Sequence, residues 1–376
     1  MKKITILYEL LKELGGLERV MFFQANCLRE KNYVDLGFGF VSKEWKKISE
    51  ELGLNTQIKI FQIGKSKNEF IQLVNYLLFP GVSKKVDTDL IISHSFMSSK
   101  IAFNRKKKFG TPYVVMMHHP PQLLYGRKIG WINNISRLSA YILGMFFGNF
   151  LKKSDKKAVE EADKVIVNSK YTGNRIREIY GVDFQVIYPA ISSEFKMVDN
   201  ERVKEKLEKM NLKNEFILLH GRMIKDKRPD LAVKAYANSV KNGCKHDLVI
   251  SGTVEEAERI KKLSKLLGIE KSVKILGRVS RDELVALYNG ASCFLMSAPK
   301  EDFGLTPIEA MACGCPVIAW RDGAGPEETI IESENGFLAK PYDFRDFSKA
   351  IDVAIAKKWK KEKISNSMKK FSEKNS

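Results

Sequence analysis

The chain has 376 residues, 44% of them hydrophobic, with a formal net charge of +19. That length and apolar content suit two domains with cores of their own and exclude a disordered polymer, and no apolar run reaches the roughly 18 residues a membrane-spanning helix needs. Five cysteines, Cys27, Cys244, Cys293, Cys313 and Cys315, are odd in number and lie mostly in apolar runs, which argues against a disulfide framework and, with a start that shows no secretory pattern, points to a reduced, cytoplasmic protein.

Strand-like and helical segments alternate from the start. The first series has strands at Lys3–Leu7, Asp35–Val41, Gln57–Ile63, Leu90–Ser93, Tyr113–Met117, Lys164–Val167 and Gln185–Tyr188, separated by helical stretches such as Leu17–Arg29. This order predicts an α/β fold with a doubly wound parallel sheet. The alternation pauses after Pro189, passes a charged helix at Asn200–Met210, and restarts at Phe216–His220. The second series continues with Leu248–Ser251, Val273–Leu276, Cys293–Met296, Val317–Trp320 and Phe337–Ala339. The expected architecture is therefore a Rossmann-like domain over residues 1–195 and a second over 196–342. Their sheets are expected to face a cleft lined by strand C-terminal ends. A lysine-rich helical tail, 343–376, is expected to pack back toward the first domain.

Charge is unevenly placed. Between Asp89 and Asp155 there is no acidic residue, whereas Lys100, Arg105, Lys106, Lys107, Lys108, Arg127, Lys128, Arg137, Lys152 and Lys153 all fall there. The same interval holds the most apolar stretch, Leu138 to Leu151. Basic flanks around such a helix fit an interfacial contact with an anionic membrane surface, and a core helix with solvated ends fits equally. Nucleic acid is not indicated, because no zinc-finger spacing, aromatic RNA-binding signature or helix-turn-helix pattern accompanies the charge.

Candidate chemistry lies where strands end. Gly15 and Gly16 open the helix after the first strand, where bare backbone can approach a phosphate or sugar, though a tight turn explains a glycine pair too. His118 and His119 close the strand Tyr113–Met117 and run into Pro120-Pro121, an exit at the expected cleft. His94 also ends a strand but lacks supporting neighbours. Asp87 and Asp89 precede a strand, at the wrong sheet edge for a metal site, and no metal is expected. In the second series, His220-Gly221-Arg222 and Lys227 follow the first strand and precede a helix near Pro229, so Arg222 and Lys227 are placed to neutralise a diphosphate. A solvated basic loop is the plainer alternative.

The most informative run is Ser297-Ala-Pro-Lys-Glu-Asp-Phe-Gly-Leu-Thr-Pro-Ile-Glu-Ala310, which carries Glu301 and Glu309. Thr306, Pro307 and Glu309 fit N-cap, N1 and N3 of a helix that Gly314 ends, an ordinary capping box. Glu301 and Gly304 have no part in such a box. Amides at the helix start can bind a diphosphate, with one carboxylate before them and another beyond, each able to accept bonds from hydroxyls. Those are the needs of a nucleotide-sugar.

Taken together, Glu301-x7-Glu309 followed by Ala310-Met-Ala-Cys-Gly-Cys-Pro-Val, Gly221-Arg222 with Lys227, and Gly15-Gly16-Leu-Glu-Arg-Val resemble the retaining glycosyltransferases of family 4. Val165-Ile-Val-Asn168-Ser169, Gly277-Arg-Val-Ser280 and Asn335-Gly336 extend the resemblance over nearly the whole chain. It implies the two-domain GT-B fold and transfer of a sugar from a nucleotide donor with retention and without a metal or other cofactor. It also implies that Glu301 binds donor-sugar hydroxyls, Glu309 the ribose, and Arg222 and Lys227 the diphosphate. Amides near Phe303, Gly304, Leu305 and Thr306 assist, and His118 contacts the sugar at the reacting centre.

The run from His118 to Tyr125 and Ile187-Tyr-Pro-Ala190 are similar to a subgroup that moves mannose from GDP-mannose to lipid-linked glycans. Gln122 and Ala190 stand where that subgroup often has arginine and a second proline, so UDP-linked glucose, galactose or N-acetylglucosamine stay open. The basic, apolar first domain implies a lipid-linked or membrane-bound glycan acceptor and a peripheral position on the inner face of the membrane. A sugar-nucleotide epimerase or phosphorylase on the same fold and a catalytically silent binding protein are the rival classes.

Overall fold

The computed structural model describes residues 1–11, 15–51, 53–63, 86–126, 135–253 and 255–373, with side chains 96, 122, 123 and 135–147 left aside. Arg127 and Lys128 lie outside the described residues, as do the side chains of most of the apolar stretch, although the backbone of Ile135–Glu160 is one helix. The chain divides into two compact units, Met1–Ile187 and Tyr188–Ser376.

The first unit is built on β1 (Lys3–Leu11), β2 (Tyr33–Val41), β3 (Lys59–Gln62), β4 (Leu90–Ser93), β5 (Tyr113–Met117), β6 (Lys164–Val167) and β7 (Gln185–Val186). Among the described residues they form a parallel sheet in the order β3-β2-β1-β4-β5-β6-β7. Central parallel strands are covered on both faces and so read as continuous apolar runs. In β1, Ile4 and Ile6 pack on one side with Phe22, Leu36 and Phe38, while Leu7 packs on the other with Ile91, Tyr113 and Val115.

The second unit repeats the scheme with β8 (Phe216–His220), β9 (Asp247–Ser251), β10 (Val273–Gly277), β11 (Cys293–Leu295), β12 (Val317–Trp320) and β13 (Gly336–Ala339), ordered β10-β9-β8-β11-β12-β13 and parallel throughout. In each sheet the order reverses beside the first strand, at β1/β4 and at β8/β11. Ligands of open α/β sheets bind at such switch points, outside the strand C-terminal ends.

The division at 187/188 differs from the expected 195, and packing gives the reason. The Tyr188 ring lies 5.6 Å from Phe303 and 5.3 Å from Phe371, and Ile191 and Phe195 are buried in the second unit's core. The tail, 343–373, packs in that core too. The helix Phe344–Ala356 buries Phe347 and Ile351 with Tyr236 and Trp320, Ser365 Oγ donates to the Ala312 carbonyl at 2.7 Å, and Ile191 N donates to the Phe371 carbonyl at 2.8 Å. An amphipathic helix goes where its apolar stripe finds a partner, and here the partner is the helix Pro229–Lys241 together with β11 to β13.

Candidate functional site

At the second switch point, β8 ends in His220, whose Nδ1 lies 2.9 Å from Ser251 Oγ at the end of β9. Gly221 then takes φ 141°, a conformation that other residues rarely adopt, and Met223 N donates to the Thr253 carbonyl at 2.7 Å. This pins the loop from both sides. Arg222 is exposed on it. After one 3₁₀ turn, Lys225–Lys227, Arg228 adopts a left-handed conformation and pairs with Asp230 at 2.9 Å, opening the helix Pro229–Lys241. Lys227 is held at both ends. Its Nζ forms an ion pair with Glu301, and its carbonyl accepts from Ser297 Oγ at 3.0 Å. The Ser297 carbonyl in turn accepts from Trp320 Nε1 at 2.9 Å.

Glu301 sits in the loop after β11. Lys300 precedes it at φ 50°, with its N–H donating to Asp322 Oδ2 at 2.7 Å. The Glu301 carbonyl accepts from Gly325 N at 2.9 Å. A Cβ at Gly325 would lie 2.5 Å from the Asp302 carbonyl oxygen, so glycine is what lets the two loops touch. Phe303 turns inward and is buried with Tyr188 and Phe371; its side chain anchors the loop, which leaves only its backbone for a ligand.

The expected capping box does not form. The helix runs Leu305–Ala312 with Gly304 as N-cap at φ 89°, ψ 82°, and no side chain caps it. Only glycine enters that backbone region cheaply, so the chain turns into the helix before reaching Thr306. Thr306 and Pro307 occupy the second and third helical positions, where a missing N–H costs nothing, and Glu309 the fifth. Freed from capping, Glu309 is only 5% exposed and accepts from the Tyr288 hydroxyl at 3.3 Å. Leu305 and Thr306 are the first-turn residues that keep an N–H.

In the first unit, Gly15 is the extended N-cap of the helix Gly16–Arg29, and a Cβ on it would come within 2.5 Å of Glu18 Oε2. His118, at the end of β5, is buried. Its Nε2 lies 2.9 Å from His94 Nδ1, and its carbonyl accepts from Asn168 Nδ2 at 3.1 Å. Burial, aided by His119, holds the His118 imidazole down to about 3, and burial together with His118 keeps His94 well below the ordinary histidine range. Both rings are neutral at physiological pH. His94, which sequence reasoning left without neighbours, thus has two, since its Nε2 meets Gln24 Oε1 at 2.8 Å. The available signal was that two consecutive strands both end in histidine. Asp89 Oδ2 accepts from Lys3 N at 2.8 Å at the opposite edge of the sheet, as the sequence reading of Asp87 and Asp89 requires.

The structure therefore brings Lys227, Glu301, Gly304 and Glu309 to one switch point with Arg222 on the adjoining loop, and His118 with His94 to the other unit's strand ends. Sequence reasoning missed Ser297, Tyr288 and Gln24. Tyr288 and Gln24 sit on helices, where nothing in the sequence marks which face meets the site.

Comparison with known proteins gives the family. Residues 14–195 match Glycosyltransferase Family 4 and residues 199–373 match Glycosyl transferases group 1. A full-length relative is an uncharacterized glycosyltransferase of Haemophilus influenzae, 25% identical over 94% of this chain and 91% of its own length. Human alpha-1,3/1,6-mannosyltransferase ALG2 is 28% identical over 68% of this chain, which spans 61% of that protein. D-inositol 3-phosphate glycosyltransferase of Acidothermus cellulolyticus is 26% identical over 70%, and 58% of its length is covered. Among solved structures, HepE of Anabaena bound to UDP-glucose superposes with a TM-score of 0.75 at 18% identity, covering 99% of this chain and 96% of HepE. With both halves of the chain matched and the parallel sheets of the fold in place, the protein belongs to the family 4, group 1 glycosyltransferases.

Proposed function

We propose that the chain transfers a hexose, mannose from GDP-mannose as the first reading, from a nucleotide-sugar to a lipid-linked or membrane-bound glycan, with retention and without a metal. The observation that carries this reading is the Lys227–Glu301 ion pair at the β8/β11 switch point. It sets a cation for the diphosphate beside a carboxylate for sugar hydroxyls, ahead of the helix start at Leu305. In the reaction the bond from the anomeric carbon to the diphosphate oxygen breaks and its electron pair stays on the diphosphate. Arg222, Lys227 and the first-turn amides stabilise that charge. The acceptor hydroxyl attacks from the same face and passes its proton to the departing diphosphate oxygen. Glu309 would hold the ribose, and His118 the reacting sugar.

Mannose is supported by the ALG2 relatives. UDP-glucose is the second reading, supported by the UDP-glucose complex of HepE. For the acceptor side, Lys107 and Lys108 are exposed beside Phe109, 49% exposed, and Phe150 is 61% exposed under Lys100. Cations around exposed aromatic rings suit an anionic membrane surface, and a position on the inner face of the membrane follows from that reading. Among the described residues no helix is long and apolar enough to cross a membrane.

A thermal-shift screen of the purified chain across GDP- and UDP-sugars tests the donor. A ligand at a hundredfold its Kd stabilises by about 2.7 kcal/mol, so GDP-mannose is expected to raise the melting temperature by several degrees. A shift with UDP-glucose alone selects the second reading, and no shift with any donor removes both.

A further inference from the structure

Gln24 is half-buried on the helix Gly16–Arg29 and its amide is oriented by chemistry. Its Nε2 donates to Met116 Sδ at 3.7 Å, and a thioether sulfur only accepts. The amide oxygen is therefore the atom that meets His94 Nε2 at 2.8 Å. An amide oxygen cannot donate, so His94 carries its proton on Nε2. A neutral imidazole has one N–H, which makes His94 Nδ1 an acceptor and His118 Nε2 the donor across their 2.9 Å contact. The two rings, stacked with centroids 5.1 Å apart, are both held neutral by burial. Reversing the protons would turn the His94 Nε2 lone pair against the Gln24 oxygen.

We propose that Gln24 is a positioning residue that, through His94, fixes the His118 proton on Nε2 and leaves His118 Nδ1 to accept a hydrogen bond from a sugar hydroxyl. The inference rests on the reading of His118 as a group that meets the reacting sugar. Which ring nitrogen is protonated is set by the bond the other makes, and one misdirected hydrogen bond in a buried site costs on the order of a tenfold change in rate.

The test uses full-length protein labelled with ¹⁵N-histidine, together with Gln24→Met and Gln24→Glu. In the native chain the ring nitrogens of His118 are expected to show the proton on Nε2 alone. Gln24→Met removes the acceptor and is expected to populate both tautomers and lower kcat roughly tenfold, with the donor KM within about twofold. Gln24→Glu keeps an acceptor and is expected to restore both at about pH 8.5, two units above the ordinary histidine range. A native His118 protonated on Nδ1, or Gln24→Met with scrambled tautomers at native kcat, overturns the proposal. Native turnover in His118→Ala overturns the reading beneath it and is measured without touching Gln24.

Discussion

Lys227 and Glu301 make the clearest separation between stability and activity. Their side chains are 35% and 19% exposed, and a partly exposed pair contributes at most about 1 kcal/mol. Glu301→Ala and Lys227→Ala are therefore expected to keep the melting temperature within a few degrees, while each lowers transfer at least about a hundredfold by removing a charge from the proposed donor site. Near-native turnover in both purified variants would remove the assignment. The histidines act in the opposite way, on stability. His118 is held down to about 3 and His94 well below its ordinary value, both by burial first, so the unfolded chain binds protons that the folded chain does not as pH falls below the ordinary histidine range. Stability is then lost with falling pH, by about 2 kcal/mol from His118 alone between about pH 6.5 and 5. Asp155 opposes this. Burial raises its carboxyl to about 6, so it adds stability as pH falls through that value, by about 1 kcal/mol over the same range. Glu9, also raised by burial, works with Asp155, and with His94 added to the histidine side the loss is expected to win. Urea midpoints are expected to drop from pH 7.5 to about pH 5, and a His94→Asn, His118→Asn protein is expected to show a smaller drop; an equal drop would place the sensitivity elsewhere.

Among elements, the helix Leu305–Ala312 shows where sequence patterns mislead. Thr306 and Glu309 have capping-box spacing, and the pattern is satisfied on paper. Backbone freedom at Gly304 decided otherwise, because a φ of 89° starts the helix earlier and carries Glu309 past the first turn. The two assignments predict different stabilities. If Thr306 capped the helix, Thr306→Ala would cost about 1 kcal/mol; with Gly304 as the cap, that change is expected to stay within about 0.5 kcal/mol. Gly304→Ala forces a side chain into a conformation it resists, with Pro307 Cγ 3.2 Å from the new Cβ, and is expected to cost about 1–3 kcal/mol. Denaturant unfolding of the two variants separates the cases, and a larger loss in Thr306→Ala would restore the capping box. The strands were legible for the opposite reason. Leu90–Ser93, Tyr113–Met117 and Lys164–Val167 are short apolar runs between polar breaks, and burial on both faces of a parallel sheet leaves no other periodicity for them to follow.

For the whole molecule, the alternation of strands and helices carried the fold class, while the allocation of segments between units did not show in the sequence. Tyr188, Ile191 and Phe195 look like the end of one domain until the contacts of Tyr188 with Phe303 and Phe371, of Ile191 with Phe371 and of Phe195 with Tyr288 put them in the other. The tail likewise has an apolar stripe whose partner only the folded sheet supplies. Net charge is a property of the whole chain as well, and the structure sharpens how it acts. Lys106, one of three consecutive lysines, is tied to Asp163 at 2.8 Å and to the Glu161 carbonyl at 2.9 Å, whereas Lys107 and Lys108 are exposed. Each exposed lysine near an anionic bilayer contributes about 1 kcal/mol. Replacing Lys107 and Lys108 with glutamine is therefore expected to weaken binding to phosphatidylserine-containing vesicles about thirtyfold at low salt. Replacing Lys106 alone should change it far less, because that charge is already paired. Raising salt from 0.01 to 1 M shortens the screening length from about 30 Å to about 3 Å and should erase most of the difference. Equal effects of Lys106 and Lys108 would move the proposed membrane contact off this helix end, and no vesicle binding at low salt would remove it.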